Sequence, residues 1–381
     1  MFWAGLSWSK TVRYRRMARS VAIGSSVGGS VGPMSDPDSD FDPQRLTSEA
    51  SLNRLVIADF TGVPAGIAGR PAWEVCSRRA LMDLVHAVGL PIDPAAGLGD
   101  QLASFAAAAS ATDRSAARAV LETFGARLGA VLATLGDEQT AIVQGHTANR
   151  RAYLEYWRDV ERVALAGGLM VSGTDQAILH GARSVLTARG RRLELTVAAY
   201  APWAPLIGAA RMAAPTTGVG LLADLGHSSI KTAAARIRAG KLEAVELLAS
   251  TSAPRPGDGV ARAITGALVA AARQVTCDAA MQPDVLISVA SYVIGGRVVN
   301  DGRSIYGAIG RSTTRTRRVL ADTVGHAVNL RYIHDGTAAA AATGDTGKAA
   351  VITLGTWLGV GFTPVSSPLL ELDQRFALSR R

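Results

Sequence analysis

The sequence predicts an α/β fold, on three observations. Short apolar runs alternate with segments of helical period from Arg162 onward. The chain of 381 residues carries 40 glycines and only 5% aromatics, so its interior has to be built largely from small residues packed backbone to backbone. Several of the apolar runs also end in glycine turns, where a ligand can approach the main chain. With 48% hydrophobic residues, the chain has enough apolar surface for two or three cores at roughly 150 residues per domain. Disorder throughout is excluded.

The elements follow in order. Residues 1–33 hold Lys10, Arg13, Arg15, Arg16 and Arg19 and no carboxylate, and P-M-S-D-P-D-S-D-F-D-P has linker composition. Residues 1–51 therefore read as a disordered basic leader, with Met17 and Met34 as alternative starts and ordered structure expected near Leu52. Residues 52–62 read as a strand. Residues 72–90 read as a helix stopped by Gly89 and Pro91. Thr112 or Asp113 caps a long helix through Leu135. V-A-L-A-G-G-L (163–169) is a buried strand entering a double-glycine turn, followed by a helix to about Ala188, a strand at 193–198 and a helix at 206–212. Val219 to Leu225 is another strand, ending in D-L-G-H-S-S-I-K (224–231), with strands resuming through Ala235 and over 242–249. A helix at 258–275, a strand at 284–290, a helix at 311–325, a strand at 328–333, a helix from Gly336 to Thr343 and a strand at 349–354 complete the chain. The last strand enters L-G-T-W-L-G-V-G-F (354–362).

Composition excludes several classes. The formal charge is +9, but removing the five leader cations leaves +4 for residues 34–381, and no arginine patch interleaved with aromatics is present to read nucleic acid. Cys76 and Cys277 are too few for a disulfide framework or a cysteine metal knuckle, which fits a reducing, cytoplasmic setting. No apolar run is long enough to cross a bilayer.

The two glycine hairpins at 224–231 and 354–361 carry the chemical signal. Freed backbone N–H groups in such turns form an anion-binding nest, and Ser228, Ser229 and Thr356 add hydroxyl donors. Asp224 at the lip of the first turn suits a hydrated Mg²⁺ that bridges phosphates. A pair of such hairpins is what a duplicated domain needs to clamp a nucleotide between its halves.

These segments resemble the ROK sugar kinases, members of the actin and hexokinase superfold, over roughly residues 58–362. D-L-G-H-S-S-I-K is similar to the family's first phosphate motif, D-I-G-G-T-K-I-K. R-Y-I-H-D-G-T-A-A-A-A resembles its N-D-A-N-A-A-A segment, and V-I-T-L-G-T-W-L-G-V-G its second phosphate motif, L-G-T-G-I-G-G-G. A-W-E-V-C-S-R-R-A-L is similar to C-L-E-x-x-x-S-x-x-A-L, and T-D-R-S-A-A-R-A-V-L-E to the family's G-D-x-x-A helix. V-A-L-A-G-G-L resembles its adenosine-side G-G turn and L-I-G-A-A-R-M its G-A-A helix. All seven keep the family's cyclic order, but the last four precede the first three, as a circular permutation would arrange them.

The resemblance implies a two-lobed, permuted actin/hexokinase-like fold. One lobe spans 52–215 and a second 216–348, with 349–381 returning the second phosphate hairpin to the first lobe and ending in a tail. It implies ATP and Mg²⁺, a small-molecule sugar substrate and a homodimer as a form the superfold supports, while charge and hydropathy argue against a nucleic-acid or membrane partner. Phosphates would lie on Gly226, Ser228, Ser229, Lys231, Gly355 and Thr356, adenosine near Gly167 and Gly168, and Mg²⁺ near Asp224. Asp335 would be the catalytic base, with Glu74 and His334 at the sugar.

Each role has a plain structural counterpart. Asp335 is also placed to cap the helix at Gly336, Lys231 to face outward from a strand, Glu74 to favour a helix dipole, and His334 to sit in a loop. His227, Trp357 and Val360 stand where the family has glycine. The family's E-x-G-H sugar clamp is absent, A-D-F-T-G (58–62) being the one segment in a comparable place, and so is its cysteine-rich zinc loop, so no structural zinc is expected. Two readings follow: an ATP-dependent sugar kinase, or a degenerate nucleotide- or sugar-binding or interaction protein that no longer transfers phosphate.

Overall fold

The computed structural model describes residues 41–48, 50–93, 96–137, 148–255, 257, 259–277, 280–300, 304–307, 309–345 and 347–380, all within one compact unit, Pro37–Arg381. The leader expected over 1–51 falls outside these up to residue 40. From Phe41 on, the expectation of a start near Leu52 is corrected. Leu46 is buried, and the Phe41 ring packs edge-on against Tyr153, Tyr156 and Phe362.

The expected strand at 52–62 is instead a 3-10 turn (Leu52–Arg54) and extended chain with one bridge, Val56 to Pro71. Leu52, Leu55 and Ile57 each anchor in the core. Residues 72–90 hold two helices, α1 (Ala72–Val75) and α2 (Arg78–Ala87), because the Ser77 hydroxyl accepts the Ala80 N–H at 3.2 Å and starts a fresh helix. A helix the periodicity does not suggest, α3 (Leu98–Ala106), precedes α4 (Ala111–Leu135), which Ser110 caps in place of Thr112 or Asp113. Then come α5 (Ala148–Arg158), β1 (Arg162–Ala166), α6 (Asp175–Ala188), β2 (Glu194–Val197) and α7 (Ala204–Arg211). The second half runs β3 (Gly218–Leu225), β4 (Ser229–Arg238), β5 (Lys241–Ser252), α8 (Val260–Thr276), β6 (Met281–Val289), a two-stranded ribbon of β7 (Val293–Ile294) and β8 (Arg297–Val298), α9 (Thr313–Val324), β9 (Asn329–His334), α10 (Asp335–Thr343), β10 (Ala349–Leu354), β11 (Leu358–Thr363) and β12 (Glu371–Arg380).

The chain is thus α/β with mixed parallel and antiparallel sheets. One sheet has the order β12-β5-β4-β3-β6-β9 and the other β11-β10-β1-β2. The same strand pattern recurs in both. In the larger sheet β3 pairs antiparallel with β4 on one side and parallel with β6, then β9, on the other. In the smaller, β10 pairs antiparallel with β11 and parallel with β1, then β2.

The continuous apolar run of β3 has a physical reason: the strand is covered on both faces. Leu221, Ala223 and Leu225 enter one buried cluster with α8 residues Ile264, Leu268 and Ala271, while Leu222 joins the main cluster with Ala209, Ala339 and Ile352. Among the described residues no helix is long and apolar enough to cross a membrane.

The small-residue interior is most compressed where α7 meets α10. A side chain on Gly208 would run into the carbonyl of Ala338, so only glycine lets the two backbones approach this closely. Arg211 ties the same ends together, donating to the carbonyls of Ala341 and Ala342 at 3.0 and 3.1 Å and to Leu370 at 3.0 Å.

Replacing Gly208 with Ala therefore costs about 1–3 kcal/mol by overpacking, read as a lower midpoint of chemical denaturation. An unchanged midpoint would show that the helices separate freely and that the contact is not structural.

Candidate active site

The carboxyl ends of the parallel strands converge on one cavity of about 940 Å³. From the larger sheet it receives the β3–β4 turn, the segment after β6 and the β9–α10 junction. From the smaller it receives the β10–β11 turn, Gly168 after β1 and Trp203 after β2. Openings at strand carboxyl ends are where α/β sheets bind ligands.

Most sequence-predicted residues meet there. Asp224, Gly226, Ser228, Ser229, Lys231, Gly355, Thr356, Gly168, His334 and Asp335 all line the cavity. Two do not. Gly167, at φ +98°, turns the chain away while packing against the Leu354 backbone, so its need for glycine is conformational and steric. Glu74 pairs with Arg70 at 3.2 Å, one turn away on the protein surface, and is not a wall residue, so the sugar contact expected of it is corrected.

The first turn is pinned from behind. The Gly226 N–H donates to the Ser229 carbonyl at 3.0 Å, and the buried Tyr306 hydroxyl donates to the Gly226 carbonyl at 2.6 Å. The N–H groups of His227 and Ser228 make no hydrogen bond to a described residue. The second turn is held by Asn53, whose side-chain amide donates to the Leu358 carbonyl at 2.7 Å and accepts its N–H at 2.9 Å. Arg78, first residue of α2, donates its N–H to the Gly355 carbonyl at 3.1 Å and lines the cavity beside it.

Asp224 is buried, with Oδ1 accepting the Ser288 hydroxyl at 3.1 Å and Oδ2 3.6 Å from the Lys231 ammonium. Lys231 faces into the site, not outward, and also donates to the Pro202 carbonyl at 3.1 Å. Among the described residues no group of three or more His, Cys, Asp or Glu side chains is placed to hold a metal. A magnesium ion held by phosphates and water needs one or two protein carboxylates, and at the first turn that carboxylate is Asp224, whose oxygens already face Lys231 and Ser288.

Asp335 begins α10, and His334 caps the helix, correcting the expected cap at Asp335. His334 Nδ1 accepts the Thr337 N–H at 3.4 Å, which leaves the ring proton on Nε2, 3.3 Å from Asp335 Oδ1. The His334 ring stacks on Tyr292 at 5.6 Å. Burial pushes His334 down to about 4. Burial, with the negative charge of Asp224 added, pushes the Asp335 carboxyl up to about 7, against the opposing pull of His227 and the Gly336 N–H. The His227 imidazole is lowered by its own burial, with Asp335 opposing. Gly359 faces the same carboxylate: a Cβ there would stand 3.3 Å from Asp335 Oδ2.

The sequence reading missed Asn53, Arg78, Tyr306, Trp203 and Arg380. Two had a signal. Arg78 lies inside the S-R-R-A-L segment already compared with the family, and Leu372, Phe376 and Leu378 keep strand spacing towards Arg380. Comparison with known proteins gives no match among family models, curated proteins or solved structures.

A carboxyl whose folded pKa is raised binds its proton more tightly in the folded state, so its contribution to stability is full below the unfolded value of 3.8 and is lost as pH rises through about 7. Asp335→Asn is therefore expected to melt higher than the parent at about pH 8, by a stabilisation of up to roughly 4 kcal/mol, with the difference shrinking towards about pH 4. Melting curves at both pH values test this, and equal melting at high pH would mean that Asp335 is not strained.

Proposed function

We propose that the chain is an ATP-dependent phosphotransferase acting on a sugar hydroxyl, built on the two-lobed actin- and hexokinase-like fold in circularly permuted order. The observation that carries this reading is the convergence of two glycine hairpins and Asp335 on one cavity. The repeated strand pattern supports the permuted form. The half of the repeat that includes β10 and β11 takes its parallel strands, β1 and β2, from earlier in the chain. A chain whose ends had moved to just beyond the second hairpin has this order.

The phosphate chain of ATP would lie between the turns, against the N–H groups of His227 and Ser228 and the hydroxyls of Ser229 and Thr356. Gly168 would face the adenosine side. Asp224 would hold Mg²⁺, whose chemistry is to offset charge on the phosphate oxygens. Asp335 takes the proton of the acceptor hydroxyl as that oxygen bonds to the γ-phosphorus and the bond to the ADP oxygen breaks. His334 Nε2 orients the receiving carboxylate. A carboxyl raised to about 7 is poised near neutral pH for this transfer.

Two features favour a second reading, a binder that does not transfer phosphate. The His227 imidazole occupies the first turn, tilted against Tyr306 at 6.1 Å, and Lys231 already neutralises Asp224. Both features compete with a phosphate and its metal.

Calorimetry with ATP, with and without Mg²⁺, followed by ADP release across a sugar panel, separates the two. The kinase reading expects Mg²⁺-dependent binding and sugar-stimulated turnover that rises through about pH 7 as Asp335 loses its proton. Asp335→Asn is expected to lower turnover by about 10²-fold or more while nucleotide still binds. Binding with no turnover on any sugar would leave the second reading, and turnover that survives Asp335→Asn would sink the first.

A further inference from the structure

The final strand brings a charge to the cavity that neither hairpin accounts for. β12 adds to the free side of β5 and runs parallel to it, so its carboxyl end falls on the same side of the sheet as the turns of the site. Leu372, Phe376 and Leu378 pack against the main core, and the Phe376 ring meets Tyr200 at 5.4 Å. That anchoring delivers Arg380 to the wall of the cavity beside Lys231.

Both cations lie over one indole. The Arg380 Cζ stands 5.6 Å and the Lys231 Nζ 5.1 Å from the centre of the Trp203 ring. The ring face attracts each of them, but two like charges brought to one ring repel each other. Lys231 is partly compensated by Asp224, 3.6 Å away on the side of the main cavity. Arg380 makes no ion pair with a described residue.

A second cavity of about 320 Å³ opens at this point. It shares Trp203, Lys231 and Arg380 with the main cavity, and its remaining wall runs along Thr232 and Leu247 to Ser250. Among the described residues no carboxylate lines it. The Thr232 hydroxyl is turned to the Ala249 carbonyl at 2.9 Å, so the charged part of the wall is the cation pair.

We propose that this side cavity is a phosphate-binding site, in which Arg380 grips the phosphate oxygens with its planar fork and Lys231 supplies the second charge. Two cations against one ligand match a dianion better than a single carboxylate, and the guanidinium presents paired N–H donors at the spacing of phosphate oxygens. The ligand is inorganic phosphate or the phosphate group of a small monoester whose remainder extends past Trp203 into the main cavity. The assignment stands on the cation pair and the side cavity, and does not rest on the phosphotransferase reading.

Titration calorimetry of the full chain tests it, with inorganic phosphate, glucose 6-phosphate and acetate as probes at fixed ionic strength. Phosphate and the monoester are expected to bind and acetate to bind far more weakly. Arg380→Gln is expected to weaken phosphate binding by about tenfold or more, and Arg380→Lys by less, since it keeps the charge and loses the fork. Circular dichroism melts confirm that both variants fold. Equal affinity for the two phosphates supports a site for the free ion, whereas preference for the monoester supports a ligand reaching into the main cavity. Phosphate binding that Arg380→Gln leaves untouched, or no phosphate binding at all, overturns the proposal, as does an equal loss of phosphate and ATP affinity in Arg380→Gln, which would place phosphate in the nucleotide site. Phosphate binding in a chain that binds no ATP leaves this site standing while removing the phosphotransferase reading.

Discussion

The site depends on the contact between the backbones of α7 and α10. Each helix follows the last parallel strand of its sheet, β2 before α7 and β9 before α10, so the line where they touch sets how the two sheets face each other. Gly208 against the Ala338 carbonyl allows no side chain between them. Close approach of this kind transmits position with little slack, because packed backbone has no rotamers to absorb a shift. It also fixes where α10 begins. The first residue of α10 is Asp335, and the helix start is pressed against β11 through Gly336 and the Val360 carbonyl. The same small residues that join the halves thus hold the carboxylate beside both hairpins.

The electrostatics of the cavity follow from that placement. Asp335 is buried near Asp224, so one of the two carboxyls holds its proton towards neutral pH, while Asp224 stays close to Lys231. A neutral His334 locks the orientation of Asp335 from the side and is itself locked by Thr337 and the Tyr292 ring. Burial and a like charge thus act on the same carboxyl, a combination that is enriched where a group has chemistry to perform.

Much of the architecture is legible in the sequence for a physical reason. V-A-L-A and G-V-G-L-L-A-D-L stand out because β1 and β3 are central strands, covered on both faces, so their composition is apolar up to Asp224 in β3. The hairpin tips stand out because tight turns need glycine and hydroxyl residues. What escaped depends on partners distant in the chain. Asn53 lies in an apolar run that resembles a strand, yet its role is to hydrogen-bond Leu358, 305 positions away. Tyr306 reads as an ordinary aromatic until it reaches the Gly226 carbonyl. Glu74 went wrong in the opposite sense, since a carboxylate in a family-like segment found a nearer partner in Arg70.

The three residues that differ from the resembled glycine motifs, His227, Trp357 and Val360, have different surroundings. Val360 is not in the second turn at all. It pairs with Ile352 inside β11 and is buried there, so its side chain does not line the cavity. Trp357 is at the tip, but its ring lies beside Trp73 at 5.8 Å and remains 44% exposed, adding an aromatic wall, and the N–H groups of the turn make no hydrogen bond to a described residue. Of the three, His227 is the one that interacts electrostatically with Asp335. Its burial favours the neutral ring, which keeps one N–H donor, so His227 takes up room in the first turn and offers a side-chain donor there. Under the proposed phosphotransferase reading, the balance between transfer and binding alone turns on the His227 imidazole and the Lys231–Asp224 pair.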